Sequence, residues 1–329
     1  MTVKFSVILI ILFGFFSNEA VKAQSKLDER VQTRVPKYAR LDIENDMLIP
    51  RDKTDRYFSS GVRLDYSITQ VPDRKTGLQK IFPKLKDAEI YIGLMIMSNM
   101  YTPANLTENP PVGDRPYAGW LCAGVTGISN SFANATRFRT EYSLGIIGPA
   151  ASQETFQKQL HKIIGRPIPK GWKNQIANDL ALNVNFMAEK RLYRPAENVD
   201  FIGILETNIG TVTTYMGLGA MIRVGWFDDY FKNILQLNGS NPWQVFIFVR
   251  PMGRVVADNS LLQGGIFNYK NSPYVIPRDD LNRFYMETEF GYGLTYKSFN
   301  ITYSQTLRTA EFKDAKTMFW GKFSFAHCF

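Results

Sequence analysis

The chain has 329 residues, 45% hydrophobic and 21% charged, with 39 Lys and Arg against 30 Asp and Glu for a formal net charge of +9. Two cysteines, Cys122 and Cys328, are too few and too far apart for a disulfide framework and read as isolated thiols. The basic excess is modest; it suits an anionic partner such as lipid phosphates, or simply a solvated surface.

Lys4 precedes an apolar run over residues 5–16, followed by Val21, Lys22 and Ala23. A charged start, an apolar middle and a small-residue site predict a signal peptide over 1–23. A buried strand or an anchor helix are the alternatives, but the run falls short of the roughly 20 residues a membrane helix needs. No long apolar helix follows, so residues 24–329 are periplasmic, secreted or an outer-membrane barrel used as one domain. Nucleic acid is not expected as a partner of an exported chain.

Strand periodicity dominates the rest. In 62–69, Val62, Leu64, Tyr66 and Ile68 alternate with Arg63, Asp65, Ser67 and Thr69, one face apolar and the other polar. In chain order such segments lie near 38–48, 58–70, 88–101, 116–129, 135–148, 179–190, 198–210, 213–225, 243–257, 283–296, 298–308 and 317–329. The expected fold is all-β, a transmembrane antiparallel barrel of about 12 strands with a short helical segment in an outer loop. An even count suits bacterial barrels, and closure is what lets apolar strand faces meet lipid. Tyr57-Phe58, Trp226-Phe227 and Phe319-Trp320 suggest interfacial girdles. The terminal alternation of Phe323, Phe325 and Phe329 fits a closing strand. A water-soluble barrel or sandwich is the alternative; it would carry Asp42, Glu44, Arg63, Asp65, Glu287 and Glu289 outside rather than in a lumen.

With both termini periplasmic, connections 49–57, 102–115 and 149–178 share the outer rim, and 71–87 and 130–134 the periplasmic one. The long 226–242 connection departs from the usual loop lengths, and "WFDDYFKNILQL" within it suits a short helix. At the outer rim, phase places Asp42, Glu44 and Asp46 toward the lumen, with Ser59 and Gly61 in phase with Arg63 and Asp65. Asn45 is out of phase and needs a bend or bulge to join them. Asp55 and Arg56 stand at the mouth of the second strand. Asp114 and Arg115, in "GDRPYAGW", are either a rim salt bridge or direct participants. In the third loop Ser152 caps a helix that Gly165 ends, with an apolar stripe of Phe156, Leu160, Ile163 and Ile164. His161 flanks that stripe, in line with Gln157 and Ile164. A lone His is more often structural, but the other, His327, sits roughly 25 Å away at the periplasmic end. An imidazole base at the outer rim must therefore be His161.

"END", "DRYFSSG", "SNMYTP…GDRPYAGW" and "GPAA…Q…HKIIG…GW..QIAND" together resemble the outer-membrane lipid A 3′-O-deacylase (LpxR) family, most densely between residues 41 and 180. The resemblance implies a twelve-stranded barrel that removes the 3′-linked acyloxyacyl group of lipid A and requires calcium. It makes His161 the catalytic His, matches Asn45 and Asp46 to an Asn-Asp pair, and matches Ser59 to an active-site Thr. Two positions depart: Pro167 stands where an acidic residue is expected six after the His, and a loop lysine has no counterpart around Leu106–Glu108. Glu44, Asp179 or backbone carbonyls are the candidates to replace the missing acid as calcium ligand.

The expected chemistry is ester hydrolysis by a His-activated water, with calcium held by Asp46 and Glu44 polarising the carbonyl. The expected partners are lipid A or lipopolysaccharide and outer-membrane lipids, and the expected state is a monomer. The rival is a non-catalytic barrel of the same family, degenerate or porin-like. An outer-membrane phospholipase would need a His two residues before its Ser within a strand, and neither His is so placed.

Overall fold

The computed structural model describes residues 37–49, 56–70, 80–232, 234, 240–268 and 274–329. The proposed signal peptide and Asp55 lie outside the described residues. The strands are β1 (Tyr38–Asn45), β2 (Tyr57–Gln70), β3 (Glu89–Thr102), β4 (Ala118–Ser131), β5 (Thr136–Ile147), β6 (Asp179–Ala196), β7 (Val199–Gly210), β8 (Thr213–Trp226), β9 (Trp243–Asn259), β10 (Phe284–Tyr296), β11 (Phe299–Arg308) and β12 (Met318–Cys328). Each pairs antiparallel with its sequence neighbour, and β12 pairs with β1 to close the barrel. Closure leaves no strand edge unpaired, the condition for sitting in lipid. None of the described helices is long and apolar enough to cross a membrane.

The two faces divide as the alternation requires. Val62, Leu64 and Tyr66 on β2 and Leu94 and Ile96 on β3 are exposed on the outside. Inside, charges meet across strands: Arg63 pairs with Asp65 and Glu141, Arg254 with Glu206 and Glu287, and Arg250 and Lys322 with Glu289. Charges removed from water are tolerable in the lumen because each meets an opposite charge at hydrogen-bonding distance.

Both ends of this lumen are filled. Tyr57, Phe58, Tyr101, Leu261, Phe312 and Trp320 form an apolar cluster under the outer loops. Tyr57, Phe58 and Trp320 are thus buried rather than in a girdle; Trp226, exposed beside β9, does suit one, as does Trp243, whose ring lies 4.3 Å from that of Tyr296. At the periplasmic end, the segment after β8 is a turn in its described part, not a helix. It buries Phe231 against Ile202, Ile204, Met221 and Met252. Asp229 ties it down, accepting from Arg191 and Arg194 at 2.6 Å each.

The outer loop after β5 carries α1 (Gln153–Ile164), and that after β9 carries a short α2 (Ser260–Gln263). Gly165 ends α1 in a left-handed conformation (φ 73°), and its N–H donates to the His161 carbonyl.

Candidate active site on the outer wall

The site lies on the opposite side of the barrel wall from the one its strand phases suggested. α1 docks against the lipid-facing surface of β3 and β4. Gln153 Nε2 donates to Ser98 Oγ at 2.6 Å, and Ser98 continues the outward series of Leu94 and Ile96. A Cβ on Gly119 would sit 2.7 Å from the Gln153 side chain. Glycine there, in phase with the exposed Leu121, is what lets the helix lie flush on the wall.

The buried stripe of α1 is polar: Gln153, Gln157 and His161. Gln157 Oε1 accepts from Trp172 Nε1 at 2.7 Å, and Trp172 is buried with Tyr117 and Met100. The apolar stripe of Phe156, Leu160, Ile163 and Ile164 points away from the wall, with Phe156 and Ile163 exposed. A helix lying in the membrane interface can turn apolar side chains outward and keep its polar ones against the protein, the reverse of the rule in water.

His161 is 3% exposed. Its Nδ1 lies 2.6 Å from the Pro167 carbonyl oxygen. A carbonyl only accepts, so Nδ1 carries the proton and Nε2 is the basic nitrogen of the neutral ring. The Gly165 turn makes this contact, reversing the chain so that residue 167 returns beneath the helix. The orienting group at 167 is therefore main chain, and the missing acidic side chain does not remove it. His161 also occupies the last turn of α1, where the helix dipole favours a developing positive charge.

Ser59 faces outward, not into the lumen. Phe58 pairs with Tyr101 and Ser60 with Met100, leaving Ser59 as the extra residue of a bulge. Phe58 lines the lumen, so the bulge resets the phase that counting back from Arg63 had assumed. Ser59 Oγ meets Thr102 Oγ1 at 2.5 Å, and nothing in the alternation pattern singles out Thr102 as its partner.

Asn45, Ser60, Met100 and Gly119 form one lateral row across β1 to β4. Asn45 needs no bulge of its own: β1 ends there, and its side chain caps a 3₁₀ turn, Asp46–Leu48, accepting from Met47 N at 2.8 Å. The turn folds over the outer face of β11 and β12, where Leu48 covers Gly321 and its carbonyl accepts from Tyr303 Oη. Asp46 in it is buried.

The other expected residues do not join this group. Glu44 lines the lumen and accepts from Trp320 Nε1 at 2.7 Å. Asp179 accepts from the N–H groups of Phe267 and Asn268, tying down another loop. Arg56 is half-buried at the start of β2. Arg115, 1% exposed, forms a rim salt bridge with Glu311 at 2.5 Å and lies over the Tyr101 ring. Asp114 accepts from the N–H groups of Ala104 and Arg115; burial pushes its carboxyl above the usual 3.8, against those two bonds and Arg115. His327 is stacked on Phe299 at the far rim. Among the described residues no three His, Cys, Asp or Glu side chains cluster as metal ligands would, and Glu44 is on the other side of the wall from the turn that carries Asp46.

Among solved structures the chain is similar to LpxR from Salmonella typhimurium, with 21% identity over 89% of this chain and 100% of that one and a TM-score of 0.70. That likeness supports the fold. The β domain of the Bordetella autotransporter BrkA covers 90% of this chain and 99% of its own at 10% identity, TM-score 0.48. Comparison with curated proteins returned no match. The model of the family described as outer membrane protein LpxR matches residues 8–329. With that match across nearly all of its length, and a closed twelve-stranded barrel as its fold, this chain belongs to the LpxR family and is an integral outer-membrane protein.

Proposed function

We propose that the protein is a lipid A deacylase that hydrolyses the 3′-linked acyl ester, with His161 as general base at a site on the outer wall. The observation that carries this reading is the buried His161 ring, whose Nδ1–H is fixed on the Pro167 carbonyl, which makes Nε2 the basic nitrogen. A base so oriented takes the proton of an attacking water.

The wall supplies the levels of the site. Gln153 meets Ser98, and Gln157 meets the Trp172 ring above Met100. Four helical residues advance about 6 Å and two strand residues about 6.6 Å, so the helix stripe and the β3 series climb in step. The same step, carried one level further, would set His161 at the height of Thr102 and Ser59. Asn45 and the Asp46 turn lie beside them through the shared row. Ser59 and Thr102 orient carbonyl or water; Ser59 is not assigned as nucleophile. Lipid A, embedded in the outer leaflet, reaches an outer-wall site without leaving the membrane.

Calcium belongs to the proposal through Asp46, the acidic residue these described elements bring to the corner. A hard cation suits a carboxylate, and when bound it would polarise an ester carbonyl.

The test is mass spectrometry of lipid A from cells expressing the protein. Loss of one 3′-linked acyl group is expected, with the effect removed by a calcium chelator in the purified system. Unchanged lipid A would reject the activity, and chelator-resistant hydrolysis would reject the metal.

A further inference from the structure

A groove of about 490 Å³ runs across the lipid-facing wall of β4 to β7. Its floor is Ala123 and Val125; Leu144, Leu182, Ile209 and Thr211 form its sides. Ala123 pairs with Leu144, and Leu144 with Leu182, so the three share one lateral row. The row continues to Thr211, whose N–H donates to the Leu182 carbonyl. Leu144 and Ile209 are 59% and 65% exposed, while alanine leaves the floor low.

Two facts fix what fills it. The groove is on the face that meets the bilayer, and its lining is almost entirely apolar, so its occupant is hydrocarbon. It also rises to Thr211, in the outer turn between β7 and β8, which puts it in the outer-leaflet half. Along β4, Ala123 lies four residues, ~13 Å, below Gly119, against which the first turn of α1 docks, and six residues, ~20 Å, below the level of Thr102. An acyl chain held by its ester near α1 would descend the wall toward this groove.

We propose that the β4–β7 groove binds an acyl chain of the outer-leaflet lipid engaged at the α1 site, and so selects which lipid is positioned there. This rests on the proposed function for the identity of that lipid. Shape gives the preference: a chain seated between Leu144 and Ile209 exchanges loose contacts with neighbouring lipids for close packing on both sides.

The test is photolabelling. The full-length His161→Ala protein, which should not consume the probe, is placed in vesicles with lipid A carrying a diazirine in its acyl chains. Labelled residues are mapped by peptide mass spectrometry. Labelling of the groove residues several-fold above Ile247 and Leu294, exposed on β9 and β10, is expected. Ala123→Trp, which fills the floor, should reduce labelling to that background while the barrel keeps its heat-modifiable migration. Equal labelling of both walls, labelling unaffected by Ala123→Trp, equal labelling by a diazirine phospholipid, or a cross-link to a second barrel would each overturn the proposal. Acyl release by the wild-type protein is measured alongside: labelled groove without release keeps the groove and removes the deacylase reading, and release without a labelled groove does the reverse.

Discussion

The His161 Nδ1–H donates to the carbonyl oxygen of Pro167 at 2.6 Å, so the imidazole is oriented by main chain rather than by a carboxylate. The side chain at 167 should then matter little. Pro167→Ala keeps the carbonyl and is expected to retain most of the acyl-release activity. His161→Ala should lower it by about 10²–10⁴ with the barrel still folded, and His327→Ala should do neither. Fatty acid release and heat-modifiable migration check all three; an inactive but folded Pro167→Ala protein would mean that residue 167 acts through more than its carbonyl.

Ser59 and Thr102 share a hydroxyl–hydroxyl contact on the outer wall. If they orient substrate or water, Ser59→Ala loses one hydrogen bond, about 1 kcal/mol, and the rate should fall modestly. Ser59→Thr should restore it. Complete loss in Ser59→Ala, with an acyl-enzyme trapped on the wild type, would make Ser59 the nucleophile.

Much of the barrel was legible because strand period and membrane chemistry enforce one another. All twelve strands fall within a few residues of their alternating segments, except that β1 stops at Asn45 and β6 extends to Ala196. The side of the wall on which the site stands was not legible. One inserted residue at Ser59 reverses phase, and a bulge leaves no compositional mark in "RYFSSG". The face of α1 is reversed for a related reason: an amphipathic helix usually buries its apolar stripe, and here Phe156 and Ile163 are exposed on the outside of the barrel. Gln153, Gln157 and His161, spaced by four, were the available signal. Asn45 was legible as a special position, although its side chain closes a turn. Nothing in the sequence pointed to Pro167 as a hydrogen-bond partner, because its contribution is a backbone atom.

The Arg115–Glu311 pair predicts an acid-side loss of stability. Burial alone would raise the Glu311 carboxyl, but Arg115 and Arg308 outweigh it and hold it below the usual 4.5. A depressed folded value contributes stability that is present above 4.5 and lost as pH falls through that folded value. Glu311→Gln should flatten this acid-side slope, and Arg115→Ala, which leaves a buried carboxylate with Arg308 alone, should cost about 3 kcal/mol. Denaturant unfolding of the detergent-solubilised barrel at a series of pH values measures both. An unchanged slope in Glu311→Gln would assign the acid sensitivity elsewhere.

A lumen crossed by ion pairs, with the outer apolar cluster above and Phe231 below, should conduct poorly. In planar bilayers the wild type is expected to show no porin-like steps. Asp229→Ala, which leaves Arg191 and Arg194 on Asp200 but cuts their tie to the turn and loosens the Phe231 segment, should raise the background current. Large, stable conductance in the wild type would favour the porin-like reading.

The most direct measurement is acyl release from purified lipid A in mixed micelles by the wild type, by His161→Ala on the outer wall and by Glu44→Gln in the lumen, each checked for a folded barrel. An outer-wall site predicts release by the wild type and by Glu44→Gln, and none above background by His161→Ala. Release by a folded His161→Ala protein, or its loss in Glu44→Gln alone, would contradict it.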